Sequence, residues 1–290
     1  MLAAYWLPSV GIGPSGKMQT VVVPITDLLN YQRKDGSPQV DVINLMGCAF
    51  NTPDNFPNQY LVFDDNLTTV LTDGSVQELQ DAGIKVVLTI LGSGGTSVGW
   101  SSIPSKLIPG FAAYLNESIL GPGGYGLDGI DIDDEYGTYG DTLVETVNTM
   151  RTTFPPGKII SKALWNDTDV IPDIANLLTF GGIMTYGDDA GWLEEIFNQY
   201  VGLGMQPEQL TIGVNAGPVA QGGSFTSIAT AQELTAWQPA NGTKLGMMLW
   251  SFSQDIQQFT ANPQNQPGLM FPNPGDHSWQ RAIIEVFDSQ

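Results

Sequence analysis

An alternation of acidic and apolar residues near the middle of the chain constrains the fold more than any other feature. The stretch Leu127–Tyr136 carries five carboxylates in an otherwise apolar, strand-like segment. Side chains on a strand alternate between its two faces, so Asp131, Asp133 and Glu135 point one way and the isoleucines between them point the other. Apolar runs elsewhere in the chain favour a parallel sheet that is covered on both faces. The acidic face is therefore predicted to line the inside of a barrel.

Eight short apolar segments support this prediction, and most intervals between them are long enough for a helix. We predict strands at Ala3–Leu7, Val42–Ala49, Lys85–Leu91, Gly129–Asp133, Ile159–Leu164, Gly182–Tyr186, Leu210–Asn215 and Leu245–Trp250. We predict helices at Ser75–Ala82, Ile103–Glu117, Asp141–Phe154, Trp192–Gly202 and Ser227–Trp237. The alternation of strands and helices predicts an α/β fold, namely a parallel (β/α)8 TIM barrel. The chain has 290 residues and 42% apolar content, which suffice for one domain over 1–290.

The charge balance narrows the partners that the chain can bind. Thirty acidic residues against ten basic ones give a formal charge of −20. Such a charge argues against nucleic acid and anionic membranes and leaves neutral sugars acceptable. Apolar runs do not reach transmembrane length. We expect a monomer without membrane association, and the acidic composition favours an extracellular location over a cytoplasmic one.

The single cysteine and the single histidine leave the chemistry to carboxylates. Cys48 lies in an apolar run, where a small buried residue is expected rather than a nucleophile. One histidine, His277, makes a Ser-His-Asp triad and a multi-histidine zinc site improbable. We expect no cofactor and no metal. Two acids that alternate on one strand can share a proton, because repulsion and desolvation raise the pKa of at least one of them.

A resemblance to a known family gives these acids roles. Residues 128–135, with the sequence DGIDIDDE, resemble the DGxDxDxE signature of glycoside hydrolase family 18, with every specified position filled. The continuation over residues 134–140 resembles the branch of endo-β-N-acetylglucosaminidases that cut high-mannose N-glycans between the two core GlcNAc units. The resemblance implies that Glu135 is the general acid and that the substrate's own 2-acetamido group attacks in place of a protein nucleophile. Asp133 would orient that acetamide, and Asp131 would share a proton with Asp133.

Further positions enter through the same resemblance. Thr89 stands where the family's third-strand motif usually has Ser, and Tyr186 matches the sixth-strand tyrosine that holds the acetamide carbonyl, although the Asp of that motif is displaced or absent. Trp250 matches the last-strand tryptophan that forms the floor of the sugar pocket, where an indole stacks on a pyranose ring. The remaining candidates for substrate binding are Asp128, Asn215 and Tyr5. On the rim loops, Trp100, Trp165 and Trp192 could contact mannose, although most such tryptophans are packing residues.

The lengths of the connections decide between members of the family. The connections on either side of the seventh predicted strand are shorter than 35 residues. They leave no room for the inserted domain that many family 18 chitinases carry before the last strand. We therefore expect an open groove that admits an N-glycan on a glycoprotein. A family 18 chitinase acting on chitin oligomers is the first alternative, and a catalytically inactive, lectin-like barrel is the second.

Overall fold

Eight parallel strands close into a barrel in the computed structural model. The structure describes residues 1–8, 10–12, 19–92, 99–134, 141–165, 168–187, 191–216, 226–255, 258–259, 273–274 and 277–290. The barrel strands are β1 (Leu2–Trp6), β2 (Val42–Phe50), β3 (Lys85–Gly92), β4 (Gly129–Asp134), β5 (Ile159–Leu164), β6 (Phe180–Ile183), β7 (Leu210–Asn215) and β8 (Gly246–Trp250). Each strand pairs in parallel with the next, and β8 pairs with β1. The predicted (β/α)8 barrel is confirmed.

Helices follow most of the strands. They are α1 (Asp65–Thr72), α2 (Ser75–Asp81), α3 (Ile108–Tyr114, continued by a π turn), α4 (Asp141–Thr153), α5 (Ile171–Ile174), α6 (Leu193–Gly202), α7 (Ile228–Ala236), α8 (Phe252–Asp255) and α9 (Ser278–Phe287). All five predicted helices are present. The second of them begins later than the predicted Ile103, because α3 starts at Ile108. Pro109 occupies its first turn, where the missing N–H of proline costs no helical hydrogen bond. Within the described part of the chain, no helix is long and apolar enough to cross a membrane.

Strand β6 begins two residues and ends three residues earlier than the predicted Gly182–Tyr186, because Gly181 belongs to the strand as well as Gly182. A Cβ atom on Gly181 would lie 2.6 Å from Cδ1 of Leu164, and one on Gly182 would lie 3.3 Å from Cε of Met248. The strand therefore packs closely on both sides, and glycine is the residue that permits it. Gly181 looks like a break when the sequence is read alone.

Three further pairs of strands accompany the barrel. Leu61–Phe63 extends the carboxyl end of β2 as an antiparallel neighbour. Val10–Ile12 pairs with Gln19–Val21, and Gln258–Phe259 pairs with Asn273–Pro274. In the described part of the connection between β7 and β8, the regular structure is the helix α7, whose Ser227 side chain accepts a hydrogen bond from the Thr230 amide.

Side chains that point into the barrel form layers. An apolar layer near the amino ends of the strands consists of Ala3, Val42, Val87, Ile159 and Phe180. One step further along the strands lies a polar layer. A second apolar group, near the carboxyl ends, consists of Tyr5, Met46, Ala163, Met184 and Met248. The apolar layer thus separates the polar layer from solvent at the amino-terminal end of the barrel. The polar layer opens at the carboxyl-terminal end, which we call the mouth.

Gly129 tests how tightly β4 is held against β5. A Cβ atom at this position would lie 2.4 Å from the carbonyl oxygen of Ile159, a backbone atom that cannot move aside. We expect Gly129→Ala to lower the free energy of unfolding by about 1–3 kcal/mol, the usual cost of overpacking. Urea unfolding followed by tryptophan fluorescence measures the loss. Gly123→Ala, where a Cβ atom meets nothing within 4 Å, is the control, and equal stability of the two variants would contradict the packing argument.

Candidate active site

The polar layer is centred on the carboxylate of Asp131, which is buried in the barrel. Three hydroxyl groups from three other strands donate hydrogen bonds to it. The Tyr5 hydroxyl lies 2.9 Å from Oδ2, the Thr89 hydroxyl lies 3.0 Å from the same oxygen, and the Ser161 hydroxyl lies 2.7 Å from Oδ1. All four side chains are at most 3% exposed. Asp131 therefore accepts hydrogen bonds from both neighbouring strands, β3 and β5, and from β1 across the barrel.

Strand register explains how two of these donors reach Asp131. Thr89 on β3 and Ser161 on β5 are its direct partners on the two neighbouring strands. Residues opposite one another in adjacent strands project to the same face, so all three side chains enter the barrel together. Tyr5 reaches the same carboxylate from β1 on the far side of the barrel because its longer side chain spans the interior.

Opposing effects set the protonation of Asp131. Burial raises the pKa of this carboxyl above its usual value of 3.8, since the charged form loses its hydration. Hydrogen bonds from Ser161, Tyr5 and Thr89 act in the other direction, as does the positive charge of Lys162. The net direction is upward, so the group binds a proton more readily than a carboxyl in water.

Tyr5 connects this carboxylate with the rest of the site. Burial raises the pKa of the Tyr5 phenol well above its usual value, and the charges of Asp131, Asp133 and Tyr186 raise it further. Tyr5 therefore stays protonated and remains a hydrogen-bond donor. Tyr186 packs against the apolar group that contains Tyr5, and Asp133 follows Asp131 by two residues on β4 towards the mouth.

Two more carboxylates follow on β4 towards the barrel mouth. Asp133 and Asp134 are both buried, with 4% and 1% of their surfaces exposed. Asp133 lies opposite Leu91 on β3, and Asp134 lies opposite Gly92. A Cβ atom on Gly92 would lie 2.8 Å from Oδ1 of Asp134, so the glycine makes room for that carboxylate. Glu135, the predicted general acid, follows immediately but lies outside the described residues.

Aromatic residues line the mouth opposite these acids. Tyr186 is half-buried, and its hydroxyl donates to the sulfur of Met248 at 3.7 Å. The Trp250 ring lies 5.3 Å from the Tyr5 ring at an angle of 59°. Its indole N–H has no hydrogen-bond partner in the described part of the chain. Asn215 pairs with Trp250 across β7 and β8 and is buried. The structure thus brings Asp131, Asp133, Tyr5, Thr89, Tyr186, Trp250 and Asn215 to one region of the barrel.

Asp128 does not belong to this group, which corrects its assignment as a substrate-binding residue. Its carboxylate accepts hydrogen bonds from the Val86 amide at 3.0 Å and from Gln80 at 2.9 Å, and it pairs with Lys85 at 3.1 Å. These contacts lie at the amino ends of the strands. At about 3.3 Å per residue, Asp128 is roughly 16 Å from the level of Asp133. It fastens β4 to β3, and the mouth lies at the other end.

Three other residues are structural: Trp100, Cys48 and His277. Trp100 is fully buried, and its indole donates to the Ile90 carbonyl at 3.1 Å, so it packs in the core and does not reach the rim. Cys48 is buried as predicted, and burial raises the pKa of its thiol. His277 is buried against the rings of Tyr31 and Phe252. Trp165, in contrast, is 45% exposed.

Ser161 and Met248 are contacts of the site that the sequence reading missed. A signal for Ser161 exists in the sequence: it alternates with Ile159 and Ala163 on the fifth predicted strand, and alignment of the two strand starts places it opposite Asp131. Met248 offers no such signal, because a methionine in a barrel strand is ordinarily a packing residue.

Comparisons with known proteins agree with this geometry. The chain is 32% identical over 143 residues to an endo-beta-N-acetylglucosaminidase of Flavobacterium sp. (strain SK1022), covering 45% of this chain and 43% of that protein. It is 26% identical over 195 residues to endo-beta-N-acetylglucosaminidase F1 of Elizabethkingia meningoseptica, covering 62% and 56%. The matched region thus spans about half the length of these relatives. No family model matches the chain.

Solved structures share the fold over nearly the whole chain. A fungal endo-beta-N-acetylglucosaminidase from glycosyl hydrolase family 18 superposes with a TM-score of 0.66 at 15% identity, covering 98% of this chain and 97% of that one. A family GH18 chitinase from Chromobacterium violaceum gives 0.67 at 19% identity, covering 100% and 83%. The chain has the fold of these glycoside hydrolase family 18 enzymes. Because both activities occur on this fold among these neighbours, the fold does not distinguish between them.

The buried Asp131 of this barrel should make folding sensitive to pH. Its pKa in the folded state is raised, so the folded chain loses stability as pH rises through the interval between the usual and the raised value. Asp131→Asn cannot ionise, so its stability relative to the parent chain should be higher at pH 7 than at pH 3.5. Urea unfolding at pH 3.5 and pH 7 measures both proteins. A relative stability of the variant that is equal at the two pH values, or higher at pH 3.5, would contradict this assignment.

Proposed function

We propose that the protein is an endo-β-N-acetylglucosaminidase that hydrolyses the β-1,4 bond between the two core GlcNAc residues of high-mannose N-glycans. The observation that carries the proposal is the pair of inward acids on β4, with Asp131 held by three hydroxyls and Asp133 one step nearer the mouth. Acids in this order, in a sequence that continues directly into Glu135, suit a retaining reaction in which the substrate's acetamide is the nucleophile.

In the proposed mechanism Glu135 protonates the glycosidic oxygen as the bond to the anomeric carbon breaks. The 2-acetamido carbonyl oxygen attacks that carbon from the opposite face and forms an oxazolinium ion. Water then opens the ring, with Glu135 as the general base, and the β configuration is retained. Holding the acetamide close to the anomeric carbon supplies the effective molarity that a weak nucleophile needs.

Asp133 orients the acetamide N–H and stabilises the positive charge that develops on it. Asp131, one step further from the mouth, controls the charge of Asp133 by sharing a proton with it. A carboxylate has about four acceptor positions, and three hydroxyls occupy three of those on Asp131, so one is left for a proton shared with Asp133. Because burial raises the pKa of Asp131, the shared proton can rest on it while Asp133 carries the charge.

The aromatic residues of the mouth hold the sugar. Tyr186 turns from Met248, a weak acceptor, to the acetamide carbonyl of the substrate. Trp250 supplies an apolar face beneath the pyranose ring, and its indole N–H is available to a sugar hydroxyl. Gly213 lets the Tyr186 ring pack close to β7, since a Cβ atom there would lie 3.1 Å from Cε1 of that ring.

The identity of the substrate is supported by the relatives of the chain and by its net charge. Both relatives named above are endo-beta-N-acetylglucosaminidases, and the net charge of −20 suits a neutral glycan. The second candidate function is a chitinase, which the chitinase among the structural neighbours favours. Mass spectrometry of the products distinguishes the two. Release of high-mannose glycans that end in one GlcNAc supports the proposal, whereas cleavage of chitin oligomers without release from glycoproteins would assign the chain to the chitinases.

Glu135→Gln tests the general acid on the same glycoprotein. The amide cannot donate a proton at neutral pH, so we expect the rate of glycan release to fall by at least about 100-fold. Glu145→Gln, a change of the same kind at an exposed position of α4, should leave the rate unchanged. A near-normal rate in Glu135→Gln would remove this residue from the mechanism.

A further inference from the structure

A groove lies on the outer side of the barrel, next to the mouth and apart from the acids. It has a volume of about 250 Å³, and its walls come from the connection after β5, the end of β6 and one face of α6. Leu164 and Ile183, which are buried, form part of its lining. Pockets for drug-sized ligands measure about 300–1,000 Å³, so this groove suits one or two sugar rings.

The short helix α5 does not contribute to the groove. In a barrel of this kind, the helix that follows each strand ordinarily covers the outer face of that strand and its neighbour. The helix after β5 has only four residues, Ile171–Ile174, and none of them lines the groove, which borders the buried Leu164 and Ile183. Trp165 and Thr168 from the connection and Trp192 from the start of α6 line this space.

The lining is aromatic, polar and uncharged. Trp165 is 45% exposed, an unusual state for the largest side chain, and Trp192 is half-buried. Thr168 and Gln199 add hydroxyl and amide groups that can donate and accept hydrogen bonds. None of the described residues that line the groove carries a charge. Indole faces combined with neutral hydrogen-bonding groups are the surface that a neutral sugar requires.

The groove and the mouth of the barrel share a residue. Met184 lines the groove and also belongs to the apolar group that surrounds Tyr5 at the mouth. A branched glycan whose core lies at the acids could therefore extend one arm over Met184 and along the outer wall. An anionic arm would be repelled by the net charge of −20, whereas a mannose arm would not.

We infer that this groove, with Trp165 as its main stacking surface, is an accessory binding site for a neutral mannose arm of the glycan. The inference rests on the proposed function in taking an N-glycan as the ligand. It goes further by assigning a role to residues outside the catalytic centre: they bind an arm and do not contact the bond that is cut.

Two glycopeptides of the same peptide sequence separate arm binding from catalysis. One carries a full high-mannose glycan, and the other carries only the two core GlcNAc residues and one mannose. We expect Trp165→Ala to lower kcat/KM about tenfold for the full glycan, equivalent to the loss of one aromatic contact, and to leave kcat/KM for the trimmed glycan unchanged. Trp165→Phe, which keeps a ring, should retain most of the activity on the full glycan.

Gln199 and Asn198 provide a matched pair on α6. Both are exposed neighbours, but Gln199 lines the groove and Asn198 does not. Gln199→Ala should weaken the full glycan selectively, and Asn198→Ala should not. Equal losses on both glycopeptides in Trp165→Ala, or no loss on either, would overturn the inference. Sedimentation provides a further check. If the parent chain were a dimer and Trp165→Ala a monomer, a second copy of the chain would cover the groove, and the inference would be overturned.

Titration with a free mannose oligosaccharide distinguishes failure of the inference from failure of the proposed function. The indole N–H resonances of the parent chain should shift on addition of the sugar, and Trp165→Ala should lose the binding. If the parent chain cleaves neither glycopeptide, the proposed function fails, and this titration still decides whether the groove binds mannose. Absence of any shift in the parent chain would overturn the accessory site.

Discussion

The hydrogen bonds from three strands to one buried carboxylate are the interaction on which the rest of the site depends. A charge or proton-sharing acid inside a barrel is costly unless hydrogen-bond donors surround it. Asp131 finds them in Tyr5, Thr89 and Ser161, which lie on β1, β3 and β5. These strands come together around one point only when the sheet is closed. Closure of the barrel and satisfaction of this acid are therefore one requirement, and the acid in turn fixes the level at which Asp133 lies below the mouth.

Each layer of the barrel has a separate structural role. Apolar side chains near the amino ends of the strands close the floor, and Asp128 fastens two of the strands there from outside. The polar layer above the floor holds the acid, and the mouth above that layer presents aromatic rings. This division leaves the rim free to vary, which is how one fold supports related reactions on different glycans. The groove beside Trp165 lies in such a variable region, since its walls come from the connection after β5 and from α6.

Much of this arrangement can be predicted from the sequence, and the exceptions have physical reasons. Alternation of acids and isoleucines on β4 is a local pattern, so it identifies the inward face without any knowledge of neighbours. Ser161 was missed because its role depends on register with another strand, which single-strand patterns do not report. Asp128 was misplaced because a motif fixes spacing along the chain but does not say which end of a strand faces the substrate. Trp100 was placed on the rim because its hydrogen bond to a strand carbonyl, which lets it be buried, is invisible in sequence. The start of β6 was misplaced because Gly181 reads as a break, whereas the structure uses it for close packing.

The central claim of the account is that the acids of β4 serve a substrate that supplies its own nucleophile. It can be tested with two fluorogenic substrates that differ only in the 2-acyl group of the sugar to be transferred, one acetyl and one trifluoroacetyl. Fluorine withdraws electrons from the carbonyl oxygen and weakens its attack, while the size of the group changes little. Initial rates of hydrolysis should fall steeply from the acetyl to the trifluoroacetyl substrate at equal occupancy of the site. Equal rates would show that a protein group or water attacks the anomeric carbon instead, and would contradict the account.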